Sequence, residues 1–306
     1  MADMPAARRR DKGRAFIIGV PALWLGVFFA IPFLIILRMS LSDPASAQPP
    51  YRPLLDITAG LGGISAFLGA LDVENFVTLF TDSLYVSAFL TSLRIALIGT
   101  ALTLLVGYPL ALAMARSPRH LRPVFLALII LPFWTSFLIR VYAWIAILKQ
   151  EGLLNQALLG LGLISAPLDI LNTEAAVQIG IVYTYLPFMV LPLYAVLERQ
   201  DESLLEAAAD LGAPPSTCFW RITLPLSLPG IIGGCLLVFI PVMGEFIIPD
   251  LLGGSNTLML GRLVWTEFFS NRDWPMASAI AVMLLLILAL PMMIGRRHLE
   301  KGGGVA

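Results

Sequence analysis

Charge is what this sequence most lacks. Only 13% of its 306 residues are Asp, Glu, Lys or Arg, 58% are hydrophobic, and the mean hydropathy is +0.86. Soluble domains carry about 25% charged and 45–50% apolar residues, so this chain is composed for lipid, and its length suits about six membrane spans with their loops. The net formal charge is zero, which supplies no field to draw nucleic acid. Cysteine and histidine are scarce too: Cys218, Cys235, His120 and His298 are the whole supply. Residues so scattered make no disulfide framework and no metal-ligand spacing, which argues against a zinc or haem centre. There is no low-complexity tract and no repeat of about 20–50 residues. A G-x4-G-K-[ST] phosphate loop is also missing, so any nucleotide chemistry must come from another polypeptide.

What is present is a series of apolar runs long enough to cross about 30 Å of hydrocarbon. They fall roughly at 15–38, 86–114, 122–148, 175–197, 229–252 and 276–295. The joints carry turn and breaker signals: "SDPASAQPP", "RSPRHLRP", "KQEGLLN", "LGGSN" and "NRDWP". The expected fold class is all-α integral membrane with six transmembrane helices. A tail at 1–14, an outer loop at 39–85, a polar loop at 198–228 and a tail at 296–306 lie outside the spans.

Basic residues set the orientation. With the N-terminus cytoplasmic, that side collects Arg8, Arg9, Arg10, Lys12 and Arg14, then Arg116, Arg119 and Arg122, then Arg199 and Arg221, and finally Arg296, Arg297 and Lys301. The outer side keeps Arg38, Arg52, Lys149, Arg262 and Arg272. Both termini and the polar loop are therefore expected in the cytoplasm. Ala45-Ser46-Ala47 resembles a cleavage site after the first span, but the preceding apolar run exceeds the usual h-region of about 7–15 residues, so an uncleaved anchor is expected. The outer segment 39–83 carries Asp43, Asp56, Asp72, Glu74 and Asp82 against Arg52. It reads either as a solvated loop with a short amphipathic helix near 72–82 or as a docking surface for an outer partner. Prolines interrupt several spans (Pro32, Pro109, Pro132, Pro187, Pro192, Pro241, Pro249 and Pro291). Each frees a carbonyl that must find a partner away from lipid, which points to a protein-lined or watery path.

Between the fourth and fifth runs lies "SLLEAAADLGAPPS", residues 203–216. Ser203 followed three residues later by Glu206 reads as a capping box. Ala207, Ala208 and Ala209 propagate a helix. Gly212 suits the left-handed position that ends it, and Pro214 and Pro215 start another. Two short helices at an angle are predicted.

Glu206-Ala207-Ala208, three residues, Gly212, nine residues, Ile222, one residue and Leu224-Pro225 resemble the EAA motif of permease subunits in binding-protein-dependent ABC importers. The resemblance implies the type I importer permease fold and a coupling loop that rests on a separate ATPase and transmits its closure. It also implies the partners: two ATPase copies that bind ATP and Mg, a second homologous permease and a periplasmic substrate-binding protein. No cofactor and no catalytic site are implied for this chain. Glu206 reads as its helix's own cap, as the ATPase contact, or as both.

Ionisable groups inside spans are costly and usually paired or functional. Here they are Arg94, Arg140, Glu245 and Asp250. Glu245 reads either as an internal ion-pair partner of Arg140 or Arg94, or as an acid attracting a cationic substrate. Trp134, Tyr142, Tyr183 and Tyr185 read either as cation–π partners along that path or as an interfacial belt. The segments "LPFWTSFLIRVYAWIAIL" at 131–148, "GEFIIPDLLGG" at 244–254 and "NRDWP" at 271–275 look like the spermidine/putrescine permeases, most like the larger permease of the putrescine heterodimer. Importers of iron, sulfate or phosphonate share the coupling loop, so the substrate stays open between these classes. A gradient-driven transporter would leave the spaced motif without a role, and an intramembrane enzyme would need a constellation that is missing.

Overall fold

The computed structural model describes residues 6–54 and 60–302. Expectations for 1–5, for 55–59 with Asp56, and for 303–306 lie outside the described residues. Helical backbone extends from Ala6 and, at the other end, to Gly302, so the segments expected outside the spans at either end are helical where described. Contacts divide the chain into two compact units, residues 1–81 with 266–283, and residues 82–265 with 284–306.

In the first unit an apolar helix, α1 (Phe16–Ser40), passes through a π turn at Gly26–Ala30, and none of its apolar window is buried in the chain. The outer segment that follows is folded back on the end of α1. A two-residue hairpin pairs β1 (Asp43–Pro44) with β2 (Tyr51–Arg52), and two short helices follow, α2 (Gly60–Gly69) and α3 (Glu74–Thr81). Arg38 holds this segment: its guanidinium lies 4.7 Å over the Phe67 ring and 5.7 Å over Tyr51, and it donates to the Pro53 carbonyl at 3.2 Å. Buried Asn75 on α3 donates to the carbonyls of Ser40 and Ser42 at 3.1 and 2.8 Å. The short amphipathic helix expected near 72–82 is α3, and α2 is an addition to the expectation.

The second unit is built on α4 (Ser83–Arg116), α8 (Glu174–Leu197) and α10 (Pro215–Met243). Lipid supplies no hydrophobic drive between helices, so close backbone approach must hold them, and small residues permit it. A Cβ on Gly99 or Gly107 of α4 would lie 2.9 Å from Ile181 or Met189 of α8, and one on Gly234 of α10 would lie 2.7 Å from the Met189 sulfur and 3.1 Å from its carbonyl. Gly234→Val is therefore expected to destabilise the permease by about 1–3 kcal/mol. Gly233→Ala, where the nearest atom is 3.9 Å away, should leave stability unchanged or raise it, and thermal unfolding in detergent compares the two. A polar tie also crosses the bundle, Tyr108 to Ser227 at 3.0 Å.

Two expected spans differ from the structure. The run 122–148 is not one straight helix. It breaks into α5 (Arg122–Ile130), a tight turn at Leu131–Trp134, and α6 (Phe137–Leu148), followed by α7 (Leu153–Gly160); the two halves lie at 92°. Pro132 explains the stop, since it lacks an N–H and its ring crowds the carbonyl four residues back. The Thr135 hydroxyl then takes the Pro132 carbonyl at 2.8 Å. The run 229–252 instead begins at Pro215 and ends at Met243. Gly244–Phe246 breaks it, and α11 (Ile247–Leu252) and α12 (Leu260–Trp265) follow. Among the described residues, α1, α4, α8 and α10 have span length and composition, the bent pair makes a fifth if counted as one, and the apolar part of α13 (Trp274–Gly302) is shorter.

Candidate functional site: the polar loop and its helix

After α8 the chain turns and forms α9 (Ser203–Asp210). The cap is not Ser203. The Asp201 carboxylate accepts the Ser203 N–H at 3.0 Å, and this bond holds its carboxyl below the usual carboxylate range. A carboxylate at a helix N-terminus also meets the positive end of the dipole, which favours Asp201 over a neutral hydroxyl two residues later. The capping box is thereby dissolved. Glu206 lies inside the helix with its N–H on the Glu202 carbonyl, and its side chain is exposed.

The end of α9 is as expected. Gly212 has φ of 78°. Its N–H bonds the Ala209 carbonyl at 2.8 Å and the Ala213 N–H bonds Ala208 at 3.0 Å, the paired arrangement of a Schellman stop. A Cβ on Gly212 would meet nothing within 4 Å, so glycine is required there by backbone conformation and not by space inside this chain. Leu211 beside it is 89% exposed. The sequence reading passed over Leu211, although an apolar residue inside a polar island was the signal.

The second helix is not short. From Pro214 and Pro215 the backbone enters α10 and continues into the bundle without a gap, widened by a π turn at Phe219–Thr223. That turn lies just before Pro225, whose ring would otherwise crowd the Arg221 carbonyl. Ile222, Leu224 and Pro225 thus belong to the first turns of a membrane-length helix. Gln200 ties the loop's near end to the same turns through the Thr223 carbonyl at 3.1 Å, and Phe219 sets its edge on Tyr108, 5.8 Å between centroids.

Of the residues expected along a substrate path, the structure brings Tyr185 and Glu245 together. The Tyr185 hydroxyl donates to Glu245 Oε2 at 2.5 Å, while Oε1 accepts from the N–H groups of Phe246 and Ile247 at 3.1 and 3.0 Å. Of the two readings of Glu245, the ion pair with Arg94 or Arg140 is not formed. Arg94 binds Glu174 at 2.6 Å, and Arg140 lies over the rings of Phe133 and Phe137 at 5.4 and 5.7 Å. Backbone donors at the start of α11 offer the carboxylate a preorganised site without a second buried charge. Asp250 is matched by Arg262 at 2.9 Å. Tyr183 packs edge-on against Trp144 at 5.4 Å, whereas Trp134 and Tyr142 face outward, 83% and 57% exposed.

Residues 107–302, which include the polar loop, α10 and the break at Glu245, match the family of the binding-protein-dependent transport system inner membrane component. The chain belongs to this family. Among its relatives, the spermidine/putrescine transport system permease protein PotB of Haemophilus influenzae is 41% identical, covering 92% of each chain. PotB of Escherichia coli is 46% identical over 72% of this chain and 80% of its own. In shape the chain is similar to a subunit of a bacterial ABC transporter that imports the polysaccharide alginate, with a TM-score of 0.62 and 19% identity over 95% of this chain and 99% of that one. At that identity the likeness speaks for the fold, an all-α multi-pass permease of the type I importer kind. As a permease component this family member sits in the inner membrane and leaves ATP hydrolysis to another subunit. The family match also covers the bent α5–α6 pair.

Proposed function

We propose that the chain forms half of the membrane path of an ATP-driven polyamine importer, taking up putrescine, spermidine or both. The observation that carries the coupling half of this reading is the loop's continuity: Gly212 stops one exposed helix, and the next runs unbroken from Pro215 to Met243. A push on α9 has only the tight turn at 211–214, closed by two backbone hydrogen bonds, to cross before it reaches α10. Glu206, Ala207, Ala208, Gly212, Ile222, Leu224 and Pro225 form this coupling element, with Leu211 as its apolar tip. The polyamine half is supported by the names of the relatives and by an acid, Glu245, presented beside Tyr185.

The spans are α1, α4, the bent α5–α6 pair, α8, α10 and α13, six in all, with both termini and the 198–228 loop cytoplasmic and the 39–85 segment periplasmic. The partners are two ATPase copies that hold ATP and Mg, a second homologous permease and a periplasmic binding protein. Closure of the ATPase pair upon ATP binding moves α9 and α10 and opens the path outward; hydrolysis resets it. Substrate then passes Glu245 and Tyr185, with Tyr183, Trp134, Tyr142 and Asp250 along the wall shared with the second permease.

Expression of the chain with these partners in cells lacking polyamine uptake should restore accumulation of labelled putrescine or spermidine. Accumulation of sulfate, phosphonate or ferric iron in place of the amine would reject the polyamine assignment and leave the coupling mechanism standing.

A further inference from the structure

A cavity of about 470 Å³ opens where α4 ends, lined by Arg119, Arg122, Pro123, Leu126, Tyr194 and Glu198. Its lining carries two cations, Arg119 and Arg122, against one acid, Glu198, and the loop around it, residues 116–122, adds Arg116 and no Asp or Glu. Within the cavity, Glu198 is already committed: Arg122 Nη1 lies 3.1 Å from its Oε1, and the Tyr194 hydroxyl, followed by Arg122, holds its carboxyl below the usual range. Arg122 is fixed further by its Nε on the Ser117 carbonyl at 2.9 Å. Among the described residues Arg119 makes no ion pair and no hydrogen bond, and it is exposed at the cavity wall. The start of α5 has no side-chain cap, so the positive end of its dipole adds to the same place.

The surroundings select among anions. α5 leads away from the cavity with Val124 and Leu128 exposed, 53% and 58%, and Leu126 lines the cavity itself. A free phosphate has no use for that aliphatic strip, whereas a phospholipid places its phosphate among arginines and its acyl chain along exposed leucine and valine. Basic pockets at the cytoplasmic end of membrane helices suit anionic headgroups, each cation near the surface contributing about 1 kcal/mol. We infer that the Arg119–Arg122 cavity is a binding site for an anionic phospholipid of the cytoplasmic leaflet, with Arg119 as its free cation and α5 as the track for its acyl chain. The leaflet assignment rests on the topology proposed above. The lipid would sit against Tyr194 and Glu198, at the end of α8, where the chain leaves the bundle toward the coupling loop.

The test uses the importer assembled with its ATPase and second permease, in nanodiscs of phosphatidylethanolamine with or without phosphatidylglycerol, and counts retained lipid by native mass spectrometry. Phosphatidylglycerol should be retained in preference to phosphatidylethanolamine, Arg119→Ala should lower its retention about fivefold, and Arg119→Lys should restore it. Inorganic phosphate should displace it no better than chloride at equal ionic strength. Equal retention of both lipids, retention unchanged in Arg119→Ala, or displacement by phosphate alone would overturn the proposal. So would loss of the ATPase from Arg119→Ala complexes, which would give this face to a protein partner. Lipid is counted without substrate or nucleotide, so a wrong substrate assignment leaves this result untouched.

Discussion

Gly212→Asp should leave the permease in the membrane at its normal level and reduce ATP-driven uptake to background. The two halves of that expectation have separate physical origins. Inside the chain the substitution is mild: a Cβ at this position meets nothing within 4 Å, and the left-handed backbone costs a non-glycine residue about 1–2 kcal/mol, less for Asp or Asn. Outside the chain it is severe under the proposed coupling role, because it puts a carboxylate beside Leu211, 89% exposed at the tip of the loop proposed to meet the ATPase. Gly212→Asn accepts the same backbone without the charge and should retain a measurable part of the uptake. Glu206→Ala should behave like the Asp variant, with uptake lowered more than about tenfold, as for a residue central to an interface. Since Asp201 and not Glu206 satisfies the helix start, the Ala change should barely alter thermal stability. Immunoblots of membranes alongside uptake rates check both variants; full uptake by Gly212→Asp contradicts the coupling role.

At Glu245 the two useful substitutions separate charge from architecture. Glu245→Ala leaves the Tyr185 hydroxyl and the N–H groups of Phe246 and Ile247 without their acceptor, at about 1–3 kcal/mol for each group that stays buried, so both assembly and transport should fall. Glu245→Gln keeps an oxygen for the N–H groups of Phe246 and Ile247 and an amide NH2 that the Tyr185 hydroxyl can accept from, but it removes the charge. A charge-assisted hydrogen bond to an amine contributes about 1.5–3 kcal/mol, so the Gln variant should raise the apparent KM for polyamine tenfold or more while the basal ATPase rate of the assembled complex holds. Uptake kinetics across substrate concentration make the distinction. An unchanged KM would leave Glu245 as the cap of α11 and nothing more.

The turn between α9 and α10 was legible in the sequence because each signal in it is local. Gly212 must take a positive φ, Pro214 and Pro215 must restart a helix, and these needs are met within a few residues. The helix start was misread for a related reason: Ser203 and Glu206 satisfy a capping pattern, but Asp201, two residues upstream, brings a full charge to the same N–H. The length of α10 was hidden because hydropathy marks where lipid begins, whereas the backbone hydrogen bonds of Pro215–Met243 ignore that boundary. Apolar continuity likewise concealed the 92° break near Thr135, since both halves are equally greasy and only Pro132 gave notice. The partners of Arg94, Arg140 and Glu245 depend on which helices meet, and sequence distance carries no information about that. The outer loop shows the same limit, for nothing local announces that Asn75 would return to Ser40 and Ser42.

The central claim is that this chain couples a partner's ATP hydrolysis to polyamine import. Its most direct test is the initial rate of labelled putrescine or spermidine entry into proteoliposomes holding the assembled importer, with the loaded binding protein supplied on the outer face. Entry should require ATP on the coupling-loop side, stop with vanadate, persist when ionophores collapse ion gradients, and vanish in Gly212→Asp. Entry that proceeds without ATP and follows an imposed ion gradient would contradict the account.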